Sequence, residues 1–533
     1  MKIGEKKSNR KINKRSESEE IAVLVGNSIM TAYFLVMMVL FPLYIKGGYQ
    51  EIGNVKYYFF RNTSLAVAGM MFIIIGSRFF LQKERSSLIA YYKSLSVTDW
   101  FMYGFFISLL LSYLLTDFRK EAFWGAHGWY MGFVSQLLFI LLYFFFSRYF
   151  KWNDKLLYLP LLASGCVFVL GILNRYSIYP LTIEGQTPTF IATLGNINWF
   201  CGYWALMCPL GVLWYWNSQD KYQQVFAAAY IVIGFWIGVV QGSSSAYLAF
   251  LGIFLFLFCI SFRENVQMRR LLEIGIFFTV ACQIARICRY LPGFDMNYDN
   301  TLGVVLTDTN AALYMMAALV SLYVLYCTLI RKRGYQIAQH IYIRNIGIFL
   351  ALLAASGYLI VLMLNTAYPE SMPWLAGQPL FTFNETWASS RGATWTDGIL
   401  AFWHMPLLHK IVGAGPDCFS EYIYAVPELA RRVYAQFGDA RLTNAHNEWI
   451  TMLVNQGVFG FVCYVGVFLT AIVRFLKKAP MQPVLYLCVG SVITYMAHNI
   501  VSFQQVLNAP YVFLLLGVGE SLCKDMEKEI VDK

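Results

Sequence analysis

Long apolar runs separated by short polar connectors extend from residue 21 almost to the C-terminus, and one long polar stretch, about 367 to 445, interrupts them. A helix rises about 1.5 Å per residue, so roughly 20 apolar residues cover the ~30 Å hydrocarbon core of a bilayer. On that measure spans are predicted near 21–45, 64–82, 98–116, 129–150, 156–174, 197–216, 223–241, 244–262, 270–289, 309–330, 345–366, 447–473, 482–500 and 508–522. The pair 223–241 and 244–262 also reads as one broken hairpin, which leaves twelve or thirteen spans open. A membrane barrel would show short alternating segments instead. The expected fold class is an all-α polytopic membrane protein of about 12–14 transmembrane helices, with one long extracytoplasmic loop containing short interfacial helices.

Composition agrees: 58% of residues are hydrophobic and 13% charged, against about 25% charged in a typical soluble domain. The first run, Ile21 to Tyr44, is too long for a signal-peptide core and no small-x-small site follows it, so it is read as retained. The net charge of +11 does not point to nucleic acid, because the excess lies in alternate connectors such as Arg331-Lys332-Arg333 and in the tail that begins Met1-Lys2. That asymmetry places both termini in the cytoplasm and the 367–445 insertion outside. The organisation expected is a disordered basic cytoplasmic tail (1–20), N-terminal transmembrane helices (21–190), a membrane domain containing the insertion (191–523) and a cytoplasmic tail (524–533). The insertion carries Arg391, Lys410, Arg431, Arg432 and Arg441 against Glu370, Glu385, Asp397, Asp417, Glu421, Glu428 and Asp439. Being net acidic, it is no general anion trap, and any phosphate site in it is local. The eleven cysteines lie mostly in apolar runs. Only Cys418 falls in the insertion, which therefore holds no internal disulfide.

Within the insertion, Trp395, Ile399, Phe402 and Trp403 fall on one side of a helix predicted over Ala393 to Met405, stopped by Pro406 and suited to lie flat at the interface. Gly413 and Gly415 allow a tight turn, Pro416 to Phe437 reads as one further helical segment, and Asn444 is the expected cap of the next span.

His446 sits where that span begins. The positive end of the helix dipole favours neutral imidazole there, and hence a proton acceptor; the plainer reading is a histidine bonding its own loop. Glu448 lies on another helical face and HExxH is absent, so a zinc pair is not expected. Gly457 and Gly460, one turn apart, serve either to fix the histidine or to let two helices approach closely. Arg391, beside Ser389 and Ser390, offers the planar fork that binds phosphate oxygens in pairs, or else anchors to lipid headgroups or a loop carboxylate. Arg431, Arg432 and Arg441 are weaker candidates for the same work. A coupled transporter would need ionisable groups at mid-membrane. Here Arg286 and Arg289 stand at the outer end of their span and Glu273 near its inner end.

These residues together resemble the O-antigen ligase and polysaccharide polymerase superfamily of bacterial envelope glycosyltransferases. Its ligase members carry a histidine followed by Asn, Ser or Arg, nine residues, then Gly-x-x-Gly, Thr or Tyr. His446-Asn447, Glu448 to Gln456 and Gly457-Val458-Phe459-Gly460 fit that pattern. Arg391-Gly392-Ala393-Thr394-Trp395, Pro406-Leu407 and Gly413-Ala414-Gly415-Pro416 are similar to the family's arginine, tryptophan and Gly-x-Gly run. Gly195-Asn196-Ile197-Asn198-Trp199 resembles its Gly-Asn-Pro-Asn stretch, with Ile in place of Pro. The likeness covers roughly residues 190 to 520. Where the family has Ser-Arg-Gly, with an arginine that helps hold the donor pyrophosphate, this chain reads Gln241-Gly242-Ser243-Ser244-Ser245-Ala246. Arg175, Arg286 and Arg289, all outward in this topology, are the candidate substitutes.

What the resemblance implies is an inverting, metal-independent glycosyltransferase with no cofactor, at the outer face of the bacterial plasma membrane. Its donor would be a glycan on undecaprenyl pyrophosphate and its acceptor a hydroxyl on a glycan, lipid or protein. His446 and Arg391 would be catalytic, while Asn447, Arg441, Arg175, Arg286, Arg289 and Asn198 would bind substrate. The alternatives are a flippase or exporter of lipid-linked oligosaccharide, which should show related halves and a polar central cavity, and a degenerate homologue that binds glycan lipid without turnover.

Overall fold

A computed structural model describes residues 20–81, 91–294, 296, 301–375 and 377–531. The predicted disordered tail, but for its last residue Glu20, lies outside them. The chain is helical, and its only strands among the described residues are Phe190–Ile191 paired antiparallel with Gly195–Asn196. Among the described residues, eleven helices are long and apolar enough to cross a membrane. Phe133–Tyr149 and Val484–His498 are apolar but shorter, and Ala509–Val531 closes the chain. Every expected span falls on one of these helices. This is an all-α polytopic membrane protein.

Ile197–Asn217 is the central helix, with 89% of its apolar window buried, flanked by Lys221–Val240 and Val484–His498. Ala509–Val531 packs along Phe133–Tyr149, and Glu448–Lys478 along Val97–Leu115. Ala311–Arg333 and Ile341–Ala367 stand at the periphery, with 6% of their windows buried.

The structure departs from expectation at several element boundaries. The second helix runs Ile52–Leu81, so Lys56 and Arg61 are helical and not loop residues. Lys56 is fully buried because its Nζ donates to the carbonyls of Phe41 and Pro42 (2.5 and 3.1 Å), which the end of the preceding helix leaves open. Pro416 to Phe437 forms two helices, Phe419–Ala425 and Pro427–Phe437, since Pro427 suits a first turn and breaks an interior. The regular helix of the insertion begins slightly earlier than expected, at Arg391 after the left-handed residues Ala388, Ser389 and Ser390, and ends at His404. Its buried side is made by Ala393, Thr394, Asp397 and Ala401, leaving Ile399 and Trp403 exposed. The residues around 407–445 have a small core of their own, including Met405, Phe419, Ile423 and Val433, into which Ala122 also packs. The last helix extends through the expected tail to Val531.

Glu448–Lys478 is broken at Gly457, whose φ of 64° and ψ of −173° are open to glycine almost alone. The break frees carbonyls that the helix would have used, and each finds a donor elsewhere. Val454 O accepts from Ala414 N (2.9 Å), and Asn455 O accepts from Gly415 N (3.1 Å) and Ser112 Oγ (2.8 Å). Gln456 O accepts from Ser108 Oγ (3.4 Å). The Gly413–Gly415 turn is thus docked into the break. Gly460 faces Ser108 on the neighbouring helix. The two glycines divide the readings made of them: Gly457 docks the turn behind the histidine, and Gly460 permits helix approach.

At the far end of that helix, buried Asp99 accepts from Lys524 Nζ (2.6 Å) and pairs with Arg148 (3.1 Å), while its N-terminal capping box closes with Ser96. Arg474 bonds Glu520 (2.9 Å) and Glu527 (2.9 Å) beside it. Removing one partner leaves the others buried and uncompensated. Asp99→Ala is therefore expected to destabilise the fold by about 3–5 kcal/mol, read as a lowered thermal midpoint in detergent. Gly457→Ala should cost about 1–3 kcal/mol from backbone alone and more from overlap with the Ile411 carbonyl. Gly460→Ala meets only side-chain atoms of Ser108 and Gln456, and its thermal midpoint should fall less.

Candidate functional site

His446 and Arg391 are brought together. Thr394, one turn after Arg391, donates its hydroxyl to Ala445 O (2.8 Å), tying the arginine's helix to the histidine's loop. Ala445 N in turn donates to Thr451 Oγ1 (3.1 Å), and Gly398 lies against Ile450 and Ala445 where a larger residue would not fit.

Arg391 is 8% exposed. Its Nε donates to Val501 O (2.9 Å) and its Nη1 to Ala388 O (2.8 Å). Among the described residues it has no carboxylate partner, so burial without a compensating charge pushes its pKa down. The residues before it, Ala388, Ser389 and Ser390, all take left-handed φ values of 50°, 62° and 65°. None is glycine, so each carries backbone strain, a feature concentrated at functional sites.

His446 also has a positive φ, 47°. Its backbone N donates to Asn444 Oδ1 (2.9 Å), and its ring stacks on Phe503 with centroids 5.2 Å apart. Neither ring nitrogen bonds a protein atom among the described residues. Burial, with a smaller contribution from the Arg391 guanidinium, lowers its pKa to about 4. The ring is therefore neutral at physiological pH and has a lone pair to offer. The cap of the following helix is Asn447, not Asn444: its Oδ1 accepts from Ile450 N (3.0 Å). Which asparagine caps depends on where the helix starts, and Asn444 instead holds the His446 backbone.

The remaining expected site residues divide. Asn198 accepts from Ser243 Oγ (2.7 Å), Ser243 meets Ser245 (2.7 Å), and Ser245 donates to Cys201 Sγ (3.3 Å), which lies within electrostatic reach of Arg391. The Gln241–Ala246 segment thus neighbours Arg391 and brings no cation of its own. Arg175 is fully buried and donates to Val240 O and Pro188 O (both 2.8 Å). Arg286 donates to Asn310 Oδ1 (3.0 Å), and Arg289 pairs with Asp308 (2.9 Å). Arg441 is held by Glu421 (2.6 Å) and Ser420 (2.8 Å), Arg432 by Asp397 (2.6 Å) and Glu385 (3.1 Å), and Arg431 by Pro427 O (3.3 Å).

Three features were not anticipated. His498, fully buried, bonds Asn499 Oδ1 (2.6 Å) and lies within electrostatic reach of Arg391. Glu448, buried, accepts from Tyr495 (2.9 Å), Tyr464 and Asn499, and so anchors the start of the His446 helix. A small cavity of about 40 Å³ beside His446 is lined by Trp129, Phe503, Asn444 and Asp417 among others. The polar run His498 to Asn508 between two apolar spans was the available signal for the first two. The third draws on residues too distant in sequence to announce themselves.

Fold and site define a multi-pass membrane protein with a buried, carboxylate-free arginine near an unbonded neutral imidazole. Within that class, residues 300–465 match the family described as O-antigen ligase, which supports a likeness to the O-antigen ligase/polymerase superfamily. The matched stretch includes Arg391, His446, Gly457 and Gly460. No curated protein matches the chain.

Titration of His446 by NMR in ¹³C-histidine-labelled protein should give a pKa near 4, not the unperturbed value of about 6.5. Arg391→Ala removes a like charge, favours imidazolium and should move that value upward.

Proposed function

We propose that the protein transfers or polymerises a glycan from undecaprenyl pyrophosphate onto an acceptor hydroxyl, at the outer face of a bacterial plasma membrane. The observation that carries this reading is Arg391, buried without a counter-carboxylate within electrostatic reach of neutral, unbonded His446. A buried cation lacking a partner is the arrangement expected of an anion site. The family match over 300–465 supports glycan transfer as the activity.

In this mechanism the acceptor hydroxyl approaches the anomeric carbon from the face opposite the pyrophosphate. His446 takes its proton as the new C–O bond forms, and the bond to the pyrophosphate oxygen breaks with its electron pair. Arg391 stabilises the charge that develops on the departing group, in surroundings where water screens it little. A single displacement inverts the anomeric centre. The guanidinium serves where a divalent metal otherwise would, so chelator should leave the rate unchanged.

Of the remaining assignments, Asn198 fits best as a substrate contact through the Ser243–Ser245 cluster, and Asn447 as the residue that sets the His446 helix. The charge-poor Gln241–Ala246 segment favours one second reading, a homologue that binds glycan lipid without turnover.

The test is release of polyprenyl pyrophosphate by purified protein given lipid-linked glycan and acceptor. His446→Ala should lower kcat by about 10²–10⁴-fold and Arg391→Ala by about 10²–10³-fold. The acid limb of kcat/KM should lie near pH 4, below which the imidazole is protonated and no longer a base. Equal release by all three proteins removes the assignment of these residues. Donor binding without release by wild type establishes the second reading.

A further inference from the structure

A cavity of about 820 Å³ shares no residue with the site around His446 and lies between four helices: Ser245–Ile260, Asn265–Arg289, Ala311–Arg333 and the start of Ile341–Ala367. No lining residue is charged, and apart from Gly275, Tyr326 and Tyr335 each is aliphatic, methionine or phenylalanine. Along Ala311–Arg333 the lining runs from Met315 to Leu329, about 21 Å of helix. One leaflet of hydrocarbon is about 15 Å deep, so an extended acyl chain fits along it. The cavity opens sideways to the bilayer, since Leu251, Leu325 and Ile343 line it and are 55%, 54% and 39% exposed. At the end nearer the insertion Phe278 packs edge to face on Phe250 and Phe254 (5.1 and 5.7 Å), which joins two of the walls. At the other end Asn265 fixes the connector between Ala311–Arg333 and Ile341–Ala367. Its Nδ2 donates to Tyr335 O (2.7 Å), and its Oδ1 accepts from Ile337 N (2.8 Å) and the Tyr326 hydroxyl (3.0 Å).

That connector is basic. Arg331, Lys332 and Arg333 end one wall and Arg344 follows the lining residue Ile343, and among the described residues no carboxylate pairs with any of the four. Arg344 is half-buried, bonds Asn345 Oδ1 (3.3 and 3.1 Å) and lies within electrostatic reach of Cys259 on the facing helix. Of the acids on the adjoining segment, Glu273 is engaged by Arg270 (2.9 Å) and Arg269 (3.5 Å), which leaves Glu264 against four cations. We infer that the cavity and its basic mouth bind an anionic phospholipid of the leaflet away from the insertion, the cytoplasmic one by the charge asymmetry. An acyl chain lies in the groove, and the headgroup phosphate meets Arg331, Lys332, Arg333 and Arg344. Basic connectors in general attract an anionic surface. Here the cations stand at the mouth of a preformed apolar groove, so headgroup charge and chain are recognised together. The donor lipid fits less well, because its pyrophosphate is assigned to Arg391 and its tail would leave these cations unmatched. The inference does not depend on the transferase reading. Its consequence is structural: Ala311–Arg333 and Ile341–Ala367, with 6% of their windows buried, border the groove, and the lipid fills the seam between them and the bundle.

Full-length protein in neutral detergent, titrated with phosphatidylglycerol, phosphatidylcholine and undecaprenyl phosphate, tests the site without turnover. Native mass spectrometry reads the bound lipid, and the thermal midpoint reads its effect on the fold. Phosphatidylglycerol should bind about tenfold or more tighter than phosphatidylcholine and raise the midpoint. Arg331→Ala and Arg344→Ala should each weaken it by about fivefold, and the two together by more. Leu325→Trp fills the groove without changing the charge and should weaken phosphatidylglycerol by about tenfold. Arg331 and Leu325 are exposed, so these variants should keep the wild-type midpoint when no lipid is added. Equal binding of the two phospholipids, or no binding, would overturn the site. Phosphatidylglycerol binding untouched by Leu325→Trp would mean adhesion to surface charge alone. Undecaprenyl phosphate binding tighter than phosphatidylglycerol and lost in Leu325→Trp would give the groove to the donor's chain, and a lipid-free dimer would give it to a second copy. Either result discards the proposal, and none of these results bears on the transfer assay.

Discussion

The arrangement depends on one break in a helix. At Gly457 the backbone leaves helical geometry, and the carbonyls this exposes must be satisfied in a protein whose interior is largely apolar. They are satisfied by the Gly413–Gly415 turn and by the hydroxyls of Ser108 and Ser112, so the insertion is fastened to the helix bundle by backbone hydrogen bonds and not by side-chain packing alone. The short segment from Glu448 to Gln456 is thereby fixed at both ends: at one by the docked turn, at the other by Glu448 among Tyr464, Tyr495 and Asn499. His446 is presented at the front of a rigid element although it lies in a loop.

Against that frame the electrostatics are simple. Several other arginines are neutralised: Arg432 by Asp397, Arg441 by Glu421, Arg474 by Glu520, Arg148 by Asp99. Arg391 has only backbone carbonyls, which orient a guanidinium without cancelling its charge. The protein thus carries the desolvation of a cation, which an anion bound there, as proposed, would offset. Burial, with a smaller contribution from the same cation, discourages protonation of His446 and leaves the imidazole neutral.

The all-α spanning pattern was legible, because hydrophobicity over a span is a local property of the chain; among the described residues eleven helices are long and apolar enough to cross a membrane, although the second starts well before the residue expected. His446, Arg391 and the glycines stood out through spacing, and the structure brings the first two within electrostatic reach of each other and breaks the helix at Gly457. What escaped was polarity that is buried by neighbours distant in sequence. Lys56 looks like a loop residue until the open carbonyls of Phe41 and Pro42 are placed beside it. His498, Asn499 and Gln504 look like a connector until the Glu448 carboxyl and the Tyr464 hydroxyl fill the space they border. The choice between Asn444 and Asn447 as cap turned on a three-residue difference in helix start that tertiary contacts decide. Pro427, by contrast, was a local signal, and it divides the helix where proline chemistry says it should.

The left-handed turn Ala388–Ser390 has a consequence of its own. Each such residue costs roughly 1–2 kcal/mol relative to ordinary backbone, and one bond that offsets this runs from Arg391 Nη1 to Ala388 O. The group proposed to receive the anion is thus also the clasp of its own loop. If the proposed anion binds there, occupancy and loop order become two readings of one equilibrium: a clasp that raises affinity would itself be tightened by the anion by the same factor.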